Sequence, residues 1–306
     1  MTSDALPLPR EGARRPHPVA ERVAPVVVAA VTLLAIWYVA ALLMNAGMAR
    51  DAFERTQTAY GVSDLIEASW NAERPRLPAP HQLVQELGKS IVSNPPTSPR
   101  SLLYHSWVTL SATLVGFAIG AIFGTALAVA IVHMRVLEKS LLPWIICSQM
   151  VPILAIAPIV IVVLGSMGVR GLLPKSIISA YLCFFPVTIG MVKGLTSPDP
   201  IQRDLMRTWS ATPAQVFWKL RWPSSVPYLF ASLKVAAAIS LVGAIVGELP
   251  TGAQAGIGAR LLAGSYYGQT IQMWAALLAA SLLAAILVAI IGALERLVVR
   301  RMGGRP

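Results

Sequence analysis

Cysteine is nearly absent. Cys147 and Cys183 are the only two in 306 residues, and both fall inside long apolar runs, so neither a disulfide framework nor a thiolate metal site is expected; they read as packing residues. His17, His81, His105 and His133 are scattered, and no metal-ligand spacing, Ser-His-Asp set or paired carboxylates emerge from the chain. A phosphate-binding loop is missing as well: Gly88-Lys89-Ser90 supplies only the end of G-x-x-x-x-G-K-[ST], with Leu83 where the first glycine belongs. Charge is scarce at 13%, about half the usual ~25% of a soluble domain. What charge exists is lopsided, 25 Lys and Arg against 14 Asp and Glu. The basic residues are spread over loops, without the aromatic-interleaved basic face of a nucleic-acid binder, so nucleic acid is not an expected partner.

Apolar residues fill the space left by charge. At 56% hydrophobic, the chain has more apolar surface than one core can bury, and lipid must act as part of its solvent. A bilayer core of about 30 Å takes roughly 20 helical residues. Runs with almost no charge mark six spans: Val23 to Ala49, Ser106 to Val132, Ser140 to Val169, Ser176 to Val192, Val226 to Gly247 (interrupted only by Lys234) and Leu261 to Leu294. With both termini cytoplasmic, the inner segments hold fifteen Lys and Arg, among them Arg14, Arg15, Arg135, Lys139, Arg203, Arg207 and Arg300, and the short outer loops hold only Arg170, Lys175 and Arg260. The positive-inside rule therefore favours an N-in, C-in orientation. The apolar run after Arg22 is longer than a signal-peptide core of roughly 7 to 15 residues, which favours an uncleaved first helix. The expected plan is a disordered segment 1–22, a first transmembrane helix 23–46, an outer segment 47–105, a five-helix core 106–296 and a cytoplasmic tail 297–306. Within the outer segment, Leu77-Pro78-Ala79-Pro80 leads into a short amphipathic helix, His81 to Lys89, with Leu83, Val84 and Leu87 on one face.

One polar loop, 199–223, interrupts the membrane pattern. Asp199 before Pro200 is a helix start, because Asp accepts from the first free amides and Pro tolerates the first helical position. Ile201, Leu205 and Trp209 then recur every four residues as a one-sided apolar stripe. Thr212-Pro213 repeats the start signal for a second helix with Val216, Phe217 and Leu220 on one face, and Trp222-Pro223 is expected to stop it. Two short amphipathic helices joined by a turn suit insertion into a partner's groove.

The same loop carries a resemblance. Asp204-Leu205-Met206, three residues, Ser210, a nine-residue gap and Leu220-Arg221-Trp222-Pro223 resemble the coupling motif of ABC importer permeases, E-A-A, three residues, G, nine residues, I-x-L-P. Asp204 stands where Glu is usual and Ser210 where Gly is usual. Leu77-Pro78-Ala79-Pro80, Val151-Pro152-Ile153-Leu154-Ala155-Ile156-Ala157-Pro158, and Gly243 to Glu248 followed by Gly256-Ile257-Gly258 are similar to the nitrate, sulfonate and taurine group of these permeases. The likeness runs from about Leu77 to Arg301. It implies an all-α polytopic membrane protein with six transmembrane helices of the type I ABC importer permease kind, in a bacterial inner membrane, with no catalytic site or cofactor of its own. ATP and Mg would be bound by a partner, a dimer of cytoplasmic ABC ATPases. A periplasmic or lipid-anchored substrate-binding protein and a second permease copy, most simply a homodimer, complete the implied assembly. Coupling would fall to Asp204, Leu205, Arg207, Trp209, Ser210, Ala211, Phe217, Leu220 and Pro223. The implied cargo is a small solute, nitrate-, sulfonate- or taurine-like, or a pyrimidine-like heterocycle.

Other positions leave alternatives open. Gly116, Gly120 and Gly124 recur every four residues, with Ala128 continuing the row, and admit a close helix neighbour, within the chain or across a dimer seam. Polar groups in or beside spans mark a substrate path: Gln149 and Pro152 in the third span, and Glu248, Thr251 and Gln254 after the fifth. Glu248 reads equally as a substrate gate or as an interfacial carboxylate holding its loop with Arg260. Lys234 lies shallow enough to snorkel to the cytoplasm. Tyr266 and Tyr267 read as an interfacial belt or as a stacking surface for a flat ring. A stand-alone secondary transporter or channel is the competing class, and it predicts transport indifferent to Asp204→Ala or Trp209→Ala.

Overall fold

A computed structural model describes residues 18–250 and 255–302, with side chains from residue 23 onward. All regular structure among the described residues is helical. Among the described residues five helices are long and apolar enough to cross a membrane, and a further bent pair brings the number to six where it is counted as one span. The chain divides into two compact units, residues 1–82 and 83–306.

The first unit is built on α1 (Pro18–Thr56), which continues two to three turns beyond the expected end of the first span, and on α2 (Val62–Trp70), which had no counterpart in the sequence reading. One buried amide organises it. Asn45 Nδ2 donates to Ser69 O at 3.1 Å and Leu77 O at 2.8 Å, and its Oδ1 accepts from the amides of Arg76 at 2.9 Å and Leu77 at 3.3 Å. With all of these bonds made, the buried side chain carries no desolvation penalty, and the Pro-rich segment is pinned as a backbone ribbon. Trp37 Nε1 donates to Pro78 O and Trp70 Nε1 to Tyr38 O, both at 3.1 Å.

The second unit starts within α3 (Pro80–Val92), where Leu83 is buried, Leu87 half-buried and Val84 69% exposed. The inward face is therefore Leu83, Leu87 and Ser90, the i, i+4, i+7 set; Val84 points outward, off the face expected to hold it. The core is a layered trio in which α7 (Leu172–Thr196) lies between α4 (Leu102–His133) and α10 (Trp222–Val246). The glycine row of α4 faces α7 within the chain. A Cβ on Gly116 would meet Ser179 Cβ at 2.5 Å, one on Gly120 would meet Cys183 Cβ at 2.7 Å, and one on Gly124 would meet Phe184 O at 2.7 Å. Close approach lets hydroxyls bridge the helices: Ser179 Oγ donates to Ser240 O at 2.8 Å, and Ser240 Oγ to Thr113 O at 3.1 Å. Cys183 is fully buried in this seam, whereas Cys147 is exposed and does not pack as expected.

Two expected spans are broken. The third is α5 (Arg135–Ser148) and α6 (Ile153–Ser166), bent by 95° about Gln149 to Pro152. Pro152 is extended and disfavours helix at the residue before it, so the apolar run turns without losing its hydropathy. The sixth is α11 (Ile257–Tyr266) and α12 (Thr270–Arg301), parted by Gly268 at φ +64°. Lys234 does not simply reach for solvent. It forms an ion pair with Glu295 of α12.

Candidate functional site

The polar loop forms as two capped helices. In α8 (Pro200–Thr208), Asp199 Oδ1 accepts from Ile201 N at 3.4 Å, and Gln202 Oε1 accepts from Asp199 N at 3.2 Å, a reciprocal capping box. Thr212 and Gln215 repeat the device for α9 (Pro213–Val216), at 3.3 and 2.9 Å. Between them Ser210 sits at φ +51°. Its amide donates to Arg207 O at 2.9 Å, and the Ala211 amide donates to Met206 O at 3.0 Å, the paired bonds of a Schellman ending that usually uses glycine. Ser210 therefore occupies the left-handed position with a side chain that disfavours it.

Past Val216 the helix does not stop. A π-helical turn, Phe217–Arg221, leads directly into α10, with Pro223 in the first turn of that helix. Widening the turn removes the need for the amide that Pro223 lacks, which explains why Trp222-Pro223 fails as a terminator. Phe217 anchors the turn: its ring centroid lies 5.3 Å from His133, 5.0 Å from Trp218 and 6.0 Å from Trp222. Leu220 and Pro223 are half-buried beside it. On α8 the stripe has nothing over it, with Ile201 77%, Leu205 51% and Trp209 74% exposed. Asp204 pairs with Arg207 at 3.1 Å on the open surface.

At the other end of the second unit, a carboxylate is wholly enclosed. Glu248 has no exposure. Its oxygens accept from Thr109 Oγ1 at 3.0 and 2.9 Å, from Gly258 N at 2.9 Å and from Lys175 Nζ at 3.4 Å. Thr109 Oγ1 in turn accepts from Ile257 N at 2.8 Å, and His105 Nδ1 from Gly256 N at 3.0 Å. His105 Nε2 lies 2.8 Å from Pro99 O, so the imidazole is neutral with its proton on Nε2. Lys175 Nζ also donates to Ala255 O at 2.8 Å. Three successive amides, 256 to 258, are thus each held by one side chain. Gly256 is at φ +127°, and a Cβ there would meet the Glu248 carboxyl at 2.1 Å, so only glycine fits. Burial pushes the Glu248 carboxyl above the ordinary carboxylate range, against the opposing pull of Lys175, the Gly258 amide and the Thr109 hydroxyl.

The carboxylate is a clamp on its loop, and its ion partner is Lys175 rather than Arg260. His105, Thr109 and Lys175 escaped the sequence reading; the one available signal was the i, i+4 pair His105 and Thr109 on the glycine-bearing helix. Gln149 and Pro152 do not join this cluster. They form the elbow between α5 and α6, beside Ser148, whose carbonyl accepts from the Tyr181 hydroxyl, about 9 Å along α7 from Lys175 at 1.5 Å per residue. Thr251 and Gln254 lie outside the described residues. Beside the clamp is a cavity of about 850 Å³, bordered by Tyr104, Ser111, Ile161, Arg170, Lys175 and Pro250.

Comparison with known proteins places the chain in a family. Residues 116–304 match the model of the binding-protein-dependent transport system inner membrane component. The chain is similar to the riboflavin transport system permease protein RibX of Chloroflexus aurantiacus, 33% identical over 202 residues, 65% of this chain and 72% of that one. It is similar to the formylaminopyrimidine transport permease protein ThiX of Halalkalibacterium halodurans, 29% identical over 185 residues, 60% of this chain and 68% of that one. The nitrate import permease protein NrtB of Synechocystis is 23% identical over 236 residues, 75% of this chain and 82% of that one. With an all-helical fold and up to six crossings of the type I permease kind, the chain belongs to the binding-protein-dependent inner membrane components, the permeases of ABC transporters.

Proposed function

We propose that this chain is the membrane subunit of an ATP-driven importer, in which α8 and α9 dock on a cytoplasmic ABC ATPase and relay its closure to the crossings. The observation that carries the reading is the bare stripe Ile201, Leu205 and Trp209 on a helix capped at both ends. An amphipathic helix holding its apolar face in water loses the burial that would stabilise it, unless a partner supplies the groove. The Phe217 aromatic cluster makes the docked loop part of the bundle, so a push on α8 reaches α4 and α10 through packed rings.

ATP and Mg belong to the ATPase in this reading, and the permease binds no cofactor. Two copies surround the path, both termini face the cytoplasm, and an outer binding protein delivers the solute to the clamped end. The bend at Gln149 to Pro152 and the cavity bordered by Arg170 and Ser111 are the path-lining features of each copy. For cargo, a small nitrogen heterocycle is favoured over nitrate, sulfonate or taurine, since the permeases named for formylaminopyrimidine and riboflavin are 29% and 33% identical and the nitrate permease 23%.

Co-purification tests the docking. The full chain should retain the ATPase made with it, and Leu205→Asp/Trp209→Asp should lose the ATPase while inserting normally. Retention by the double variant would contradict the assignment. Thermal shift of the accompanying binding protein against heterocycles, nitrate and sulfonates tests the cargo.

A further inference from the structure

A second, polar cavity of about 310 Å³ lies where α3, α11, α12 and the turn before α4 meet, at the clamped end of the second unit and independent of the docking reading. Three cations from three elements border it: Lys89 of α3, Arg100 of the turn and Arg260 of α11. Among the described residues, ion pairs are made by Lys175, Arg207 and Lys234, and by none of these three. Asn94, Gln269 and Gln272 add amide donors, and the last two stand at the N-cap and third position of a 32-residue helix, the positive end of its dipole. Glu86 is the single carboxylate on the wall.

Three like charges face one carboxylate and none of them is ion-paired, so the wall carries a net positive charge that a bound anion would neutralise. We propose that this cavity binds a phosphate group, held by Lys89, Arg100 and Arg260 with the amide side chains as further donors. Its volume of about 310 Å³ fits a small group better than a folded partner, whose contact would spread over roughly 800 Å² per side. The position fits a lipid headgroup in particular. The cavity sits at the first turns of two membrane-crossing helices, above the apolar cluster of Leu102, Ile257 and Ala276 with Leu87 and Leu261 packed on it. Leu103 and Trp107, one turn apart on α4, are 42% and 66% exposed and offer an apolar face to the acyl chains of such a lipid. Basic pockets between membrane helices bind anionic lipid head groups on the cytoplasmic side, and the same charge pairing is available at this end.

The test uses the full-length chain in two arms. In the first, native mass spectrometry follows retention of phosphatidylglycerol against phosphatidylcholine from mixed nanodiscs; in the second, inorganic phosphate is titrated by thermal shift. Lys89→Gln/Arg100→Gln/Arg260→Gln should weaken binding by about tenfold or more, as the loss of charge-assisted hydrogen bonds requires. Arg100→Lys/Arg260→Lys, which keeps the charge, should bind within a few-fold of wild type and shows that the fold survives change there. Arg135→Gln/Lys139→Gln/Lys193→Gln, an equal charge loss elsewhere, should bind as wild type. Weakening in the lipid arm alone identifies a headgroup, in the phosphate arm alone a free anion, and in both a site open to either; each supports the proposal. Unchanged binding by the first triple variant in both arms overturns it, as does equal weakening by the distant control. So does a first triple variant that loses only capture of the binding protein, because the cations would then be a protein contact.

Discussion

The two ends of the second unit solve opposite problems. At the polar loop, every hydrogen bond that shapes the backbone joins residues five or fewer apart, and the apolar stripe Ile201, Leu205 and Trp209 is left in solvent. At the Glu248 clamp, the bonds join residues as far as 151 positions apart and nothing is exposed. Under the proposed function the loop is a preformed plug whose energy would be realised on docking, whereas the clamp spends its interactions within the chain, tying the 256–258 backbone to α4 and α7. In that proposal one end yields to a partner, and the other keeps its geometry while that happens.

Substitutions should separate the two ends by size of effect. Glu248→Ala should cost the most, about 3–5 kcal/mol, because it strips a buried partner from Lys175 and leaves the Gly258 amide unpaired; thermal unfolding in detergent reads this. Thr109→Val keeps the shape and removes the hydroxyl bridging Glu248 to Ile257, for a loss of about 2 kcal/mol in the same assay. Ser210→Gly runs the other way. Relief of the left-handed strain should stabilise the hairpin by about 1 kcal/mol, seen as slower amide exchange across α8 with docking retained. Asp204→Ala should shift stability by under about 0.5 kcal/mol, since its pair with Arg207 is solvent-exposed. A small effect of Glu248→Ala, or a large one of Asp204→Ala, would break the contrast.

Legibility in the sequence follows the same division. Asp199-Pro200 and Thr212-Pro213 announce their helices because capping is a contact between neighbours in the chain, and the α4 glycine row announces close packing because its period is that of the helix. The partner of Glu248 was not readable: Lys175 and Arg260 are equally plausible until the fold brings α7 under the loop. Likewise hydropathy is blind to a bend. The run Ser140 to Val169 is free of charge throughout, and the extended backbone at Pro152 turns it by 95°. Trp222-Pro223 misled for a related reason, since a local stop signal was absorbed by a π-helical turn that packing of Phe217 sustains. Asn45 carried no periodic signal at all, although it organises the first unit.

Uptake into vesicles is the most direct measure of the central claim. Reconstituted with its ATPase and binding protein, the chain should accumulate solute only when ATP is supplied, and Trp209→Ala should abolish accumulation with the melting temperature unchanged. Accumulation at full rate without the ATPase, or undiminished by Trp209→Ala, would contradict the account.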